Sequence, residues 1–135
     1  MNIKLRVQNL VSTYGTRNPY KLSEKLNITV MFRELGNTRG SFKSVLGRKY
    51  IFINENLSET DTKIVLAHEL GHAILHSSKK LQFMLDHTKL VRVPKLENEA
   101  NLFVKYLIFN NDMSDENIYD SEMSVELFNE IKYAK

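Results

Sequence analysis

The sequence of 135 residues has no cysteine and no tryptophan, and only two prolines and five glycines. Without cysteine there are no disulfides, thiolate metal ligands or cysteine nucleophiles. His, Asp and Glu remain as the strong metal ligands, and a reducing intracellular setting is compatible. Long apolar runs are missing too. No stretch approaches the about 18 residues of a membrane span, and Met1 to Val11 mixes polar with apolar residues where a signal peptide would be continuously apolar. The expectation is a soluble, unprocessed, cytoplasmic protein with no membrane partner. Repeats, low-complexity tracts and linker-like stretches are absent as well. A hydrophobic content of 42% can supply one compact core without staples, so a single domain over residues 1–135 is expected, its acidic segment 110–135 standing apart in composition.

Charge of one sign is locally scarce. Residues 1–109 hold 17 Lys/Arg against 9 Asp/Glu, whereas residues 110–135 hold 2 against 7, so the net +3 joins a basic body to an acidic tail. The basic residues are scattered and not interleaved with aromatics, the pattern of a solvated surface. Direct nucleic-acid binding is not expected, and a DNA-binding regulator is the weakest of three readings. Asn27-Ile28-Thr29 and Asn56-Leu57-Ser58 match a glycosylation acceptor pattern, but with no secretory signal they read as strand and helix-cap residues.

What is present is organised around His68-Glu69-Leu70-Gly71-His72, an HExxH sequence inside the apolar runs Ile64–Ala67 and Ala73–Leu75. On a helix, residues four apart lie about 40° apart on one face, so both imidazoles can reach one metal ion, as in a zinc site. Glu69 projects about 100° round from His68, where a carboxylate can act as general base toward a water. The bland alternative is a buried helix whose three polar groups are hydrogen-bonded in the core. Burying them unpaired costs several kcal/mol, and chance would produce the pattern in under about 1% of chains this long. Gly71 costs about 1 kcal/mol of helix stability and admits a close neighbour, with a packing role and a substrate role equally open. His76 would stand about 12 Å along the axis from His68, too far to share an ion, and is read as structural or supporting.

The third ligand must come from elsewhere. Residues 77–94 read as a loop, whereas Lys95 to Phe109 is helical by pattern and offers Glu97 and Glu99. With Glu99 as origin, Leu96, Leu102, Phe103 and Tyr106 fall within about 60° of it, and Glu97 points about 160° away, beside Asn101. Glu99 is therefore expected inward, as the third metal ligand, and Glu97 toward solvent. The bland alternative for Glu99 is an ion pair across the fold.

The remaining elements follow in order. Ile3 to Tyr14 reads as a helix ended by Gly15, and Pro19 opens a second helix through Leu26. Ile28, Val30 and Phe32 alternate as a half-buried strand, and Ser41 to Leu46 alternates again. Tyr50-Ile51-Phe52-Ile53, apolar on both faces, should be the best-buried strand. Short turns between the three predict an antiparallel meander. Ser58, with Asp61 three residues on, marks the start of the HExxH helix, and a short terminal helix is possible from about Ser124. The fold class expected is α+β, a small antiparallel three-stranded sheet against the HExxH helix with further helices closing the site.

HELGHAILH, the preceding YIFINENLS and the later ENEANLFVKYLI resemble the ImmA/IrrE family of metallo-endopeptidases, intracellular zinc proteases of bacteria and their mobile elements. The resemblance covers most of residues 15–110 and does not extend to the acidic segment, whose terminal helix is read as packing on the outside. By carry-over, His68 and His72 match the family's histidine ligands, Glu69 its catalytic glutamate and Glu99 its third ligand. It implies a zincin-like fold and a Zn2+-dependent endopeptidase that cleaves or inactivates a helix-turn-helix repressor, an antirepressor of a phage or mobile element. In the expected reaction, zinc lowers the pKa of a bound water and polarises the scissile carbonyl, while Glu69 moves the proton. His87, Arg92 and Tyr106 are candidate oxyanion donors by residue type. The alternative from another class is a zinc-containing module that masks a repressor without cutting it.

Overall fold

The computed structural model describes residues 1–77, 93–110, 113 and 123–135. Among these, helix α1 (Ile3–Tyr14) starts at Asn2, whose side chain accepts from the Leu5 amide, and stops at Gly15, whose φ of 69° is left-handed. Glycine reaches that region without a Cβ penalty, which is why the helix ends there. Helix α2 (Pro19–Lys25) is capped by Asn18, with Pro19 in its first turn. Helix α3 (Glu59–Leu75) carries the HExxH motif and starts at Ser58, whose hydroxyl accepts from the Asp61 amide. The Asp61 carboxylate accepts from the backbone amide of Ser124, at 2.8 Å. Helix α4 spans Pro94–Leu107 and α5 spans Val125–Lys132.

Strands β1 (Ile28–Arg33), β2 (Gly40–Val45) and β3 (Arg48–Asn54) form one sheet in the order β1-β3-β2. The α+β class holds, but the antiparallel meander does not. β2 pairs antiparallel with β3 and β1 pairs parallel with it, Ile28 standing opposite Lys49 and Arg33 opposite Asn54. A meander would put β2 in the middle. That position has neighbours on both edges and is taken by β3, whose Ile51 and Ile53 are fully buried.

The core runs from α1 and α2 through α3 to α4, with Leu22, Ile51, Ile53, Leu66, Leu70, Phe103 and Leu107 fully buried. α3 touches β2 and β3 as well as α4, so its motif lies between sheet and helix. Gly71 faces Phe103: a Cβ added there would lie 3.1 Å from the ring, and this buried ring has nowhere to go. Of the two roles left open for Gly71, packing is the one this contact supports. Of the described helices, none is long and apolar enough to cross a membrane.

Gly40 does for the sheet what Gly71 does for the helix. A Cβ there would lie 2.7 Å from Val65 Cγ1, 3.1 Å from the Phe52 carbonyl oxygen and 3.2 Å from Glu69 Cγ. Gly40→Ala should therefore push β2 and Glu69 apart and cost about 1–3 kcal/mol, the range for overpacking a close-packed contact. Urea unfolding of both proteins measures it, and an unchanged midpoint would mean that the strand yields freely.

Candidate metal centre

Helix α3 sets the two histidines one turn apart, and the rings meet edge to face with centroids 4.8 Å apart. α4 brings the carboxylate. Glu97 lies between the rings, one oxygen 3.0 Å from His68 Nε2 and the other 3.0 Å from His72 Nε2. Single donor atoms of His68, His72 and Glu97 all fall within 4.8 Å of one another, a group able to hold a metal ion. Two imidazole nitrogens and a carboxylate oxygen are a donor set that suits zinc and leaves a coordination position open.

The carboxylate that the structure brings to the histidines is thus Glu97, where the sequence predicts Glu99. Glu99 Oε1 lies 3.3 Å from His76 Nε2 instead. The reason is that α4 buries two faces. Ala100, Phe103, Val104 and Leu107 are its buried residues, whereas Leu102 and Tyr106 line a groove with Ile3 and Lys4 of α1. Merging both sets into one stripe turned the inferred inward direction toward Glu99. Measured from the centre of the buried face, Glu97 sits about 70° to one side and Glu99 about 90° to the other. Tyr106 stands about 180° round from Glu97 and is no oxyanion donor for this site. His87 and Arg92, and residues 78–92 of the expected loop, lie outside the described residues.

Two residues not foreseen as part of the site belong to it. Asn101, one turn after Glu97, has its Oδ1 2.8 Å from His68 Nδ1. An amide oxygen can only accept, so Asn101 fixes a proton on His68 Nδ1 and leaves Nε2 as the nitrogen that faces Glu97 and would take a ligand. The signal was the four-residue spacing from Glu97. Arg39, just ahead of β2, lines the same cavity and makes a bidentate pair with Glu130 of α5, at 3.0 and 3.1 Å. No spacing in the sequence links those two.

The cavity has a volume of about 400 Å3 and opens beside His68, Glu69 and Glu97. Leu127 and Ile131 of α5 contribute to its wall, so the terminal helix borders the cleft and does not pack on the outside as expected. Glu69 lines the cavity, is 5% exposed and is not one of the three donors.

Charge follows geometry. Burial lowers the pKa of His68, but its hydrogen bond to Glu97 and the charges of Glu69 and Glu97 outweigh burial and raise it above 6.5. Burial pushes the Glu97 carboxyl up, and the two histidines more than reverse this, holding it well below the usual carboxylate range. A raised histidine pKa stabilises the fold below its unfolded value and ceases to as pH rises through the folded one; a depressed carboxyl stabilises above its unfolded value and ceases to as pH falls through the folded one. With chelator present, the urea midpoint of the wild type should therefore exceed that of His68→Asn by more near about pH 6 than near about pH 8.5. An equal difference at both pH values would remove this ion pair from the metal-free state.

The model of the IrrE N-terminal-like domain, peptidase M78, matches residues 23–132, from α2 to the end of α5. The chain belongs to the peptidase M78 family. The M78 match thus takes in the terminal helix as well as the HExxH helix, further than the motifs alone suggest. A relative from Bacillus phage phi105, named uncharacterized immunity region protein 2, is 42% identical over 107 residues, covering 78% of this chain and 67% of its own length. Metallopeptidase ImmA of Bacillus subtilis (strain 168) is 34% identical over 116 residues, covering 84% of this chain and 67% of its own. M78 membership and the His/His/Glu cluster agree on a metallopeptidase-type domain.

Proposed function

We propose that this chain is a zinc-dependent endopeptidase of the cytoplasm whose substrate is a helix-turn-helix repressor. The observation that carries the reading is the meeting of His68, His72 and Glu97 at one point, with Glu69 beside them on an open cleft. His68 and His72 would hold the ion through Nε2 and Glu97 through a carboxylate oxygen. Bound there, zinc supplies Lewis acidity toward a water and a carbonyl. Glu69 takes the proton of the attacking water and returns it to the leaving amine. The repressor as substrate is supported by the likeness to an immunity-region protein and to ImmA.

The test is incubation of the zinc-loaded protein with the helix-turn-helix repressor of a phage immunity region, read by mass spectrometry. Discrete fragments that vanish with a chelator and return with zinc are expected. Zinc near one per chain with the repressor bound but intact under every condition would replace cleavage by masking.

A further inference from the structure

His76 follows α3 directly, donates its amide to the His72 carbonyl at 2.8 Å, and is 1% exposed. A buried imidazole must place both ring nitrogens, and the structure gives each a partner. Nδ1 lies 2.9 Å from His72 Nδ1, and Nε2 lies 3.3 Å from Glu99 Oε1. Three side chains from two helices therefore form a chain that ends on a histidine of the metal centre.

The protons along that chain can be assigned. Two ring nitrogens 2.9 Å apart share one proton, so one donates and the other accepts. His72 faces Glu97 with Nε2, and a nitrogen that binds a metal ion carries no proton. A neutral His72 must then be protonated on Nδ1 and donate to His76 Nδ1. His76, accepting there, carries its own proton on Nε2, which points at a carboxylate able only to accept. Each proton has one place, and the reverse assignment would put a proton on the His72 nitrogen that faces the site.

We propose that Glu99 and His76 are positioning residues: the chain Glu99–His76–His72 fixes the tautomer and ring orientation of His72 for metal binding, as Asn101 does for His68. The inference rests on the reading of His68, His72 and Glu97 as ligands. It gives the second carboxylate of α4 a role and explains why a third histidine sits buried one turn beyond the motif. Partners of this kind raise ligand affinity by holding the donor in its binding form, typically by about 10–100-fold.

The experiment measures zinc affinity by competition with a chromophoric chelator, alongside ring nitrogen NMR of the zinc-loaded protein. The variants are Glu99→Ala, Glu99→Gln, His76→Ala and Glu97→Ala, each checked for folding by circular dichroism. Glu99→Ala and His76→Ala should bind zinc about 10–100-fold more weakly. Glu99→Gln, whose amide oxygen still accepts from His76 Nε2–H, should stay within about 3-fold of the wild type. NMR should find the proton of His72 on Nδ1 and that of His76 on Nε2. If His76→Ala fails to fold, the two Glu99 variants decide. Unchanged affinity in Glu99→Ala overturns the proposal, as does a His76 protonated on Nδ1. Failure of the ligand reading looks different: Glu97→Ala would then bind zinc as the wild type does.

Discussion

Glu69→Gln is expected to leave the metal content of the protein at its wild-type level and to lower cleavage by about 10²–10⁴-fold, the range for removing a general base. Glutamine has the shape of glutamate and fills the same space between Gly40 and the cleft, but its amide cannot take a proton. Since Glu69 is not among the three clustered donors, metal binding should not change. The loss should fall on kcat with KM nearly constant, because the interaction removed develops only as the proton moves. Elemental analysis together with steady-state cleavage of the repressor measures both quantities. Activity within a few-fold of the wild type would assign the proton transfer to another residue.

Glu97→Ala should remove the ion. It takes away one of three donors, so the affinity should fall further than the about 10–100-fold that loss of a supporting hydrogen-bond partner costs. Cleavage should fall with it and should not return at moderate zinc excess. The comparison with Glu99→Ala is decisive because the two residues are two positions apart on α4 and share helix propensity and charge. A Glu99→Ala protein that has lost its ion beside a Glu97→Ala protein that keeps it would reinstate the carboxylate inferred from helical periodicity.

That contrast marks where the sequence was readable. Elements bounded by local chemistry stand as expected: Gly15 ends α1, Pro19 opens α2, Ser58 starts α3 and Ser124 starts α5. The histidine pair was equally legible, since its spacing is a property of one helix. The third donor was not. Its direction depends on which neighbour each face of α4 meets, and the side chains of Leu102 and Tyr106, turned toward α1, pulled the inferred inward direction away from the buried face. Strand order was hidden for a related reason: alternation shows which face of a strand is buried but carries no name for the strand beside it. Arg39 and Glu130, 91 positions apart, could be joined only by the fold.

The order of the strands also sets a sequence of events during synthesis. β2 and β3 adjoin through the tight turn at Leu46-Gly47 and can zip as soon as both have left the ribosome, because their contacts are local. β1 emerges before either, yet its partner is the last strand made. Until Arg48 to Asn54 has appeared, Val30 and Ile28 have no strand to pair with, and closing that longer loop costs entropy before any contact offsets it. The nascent chain therefore carries an unpaired apolar strand through the making of the hairpin, an interval in which a chaperone would find it. The HExxH helix, synthesised next, packs on a sheet that has only just gained its first strand.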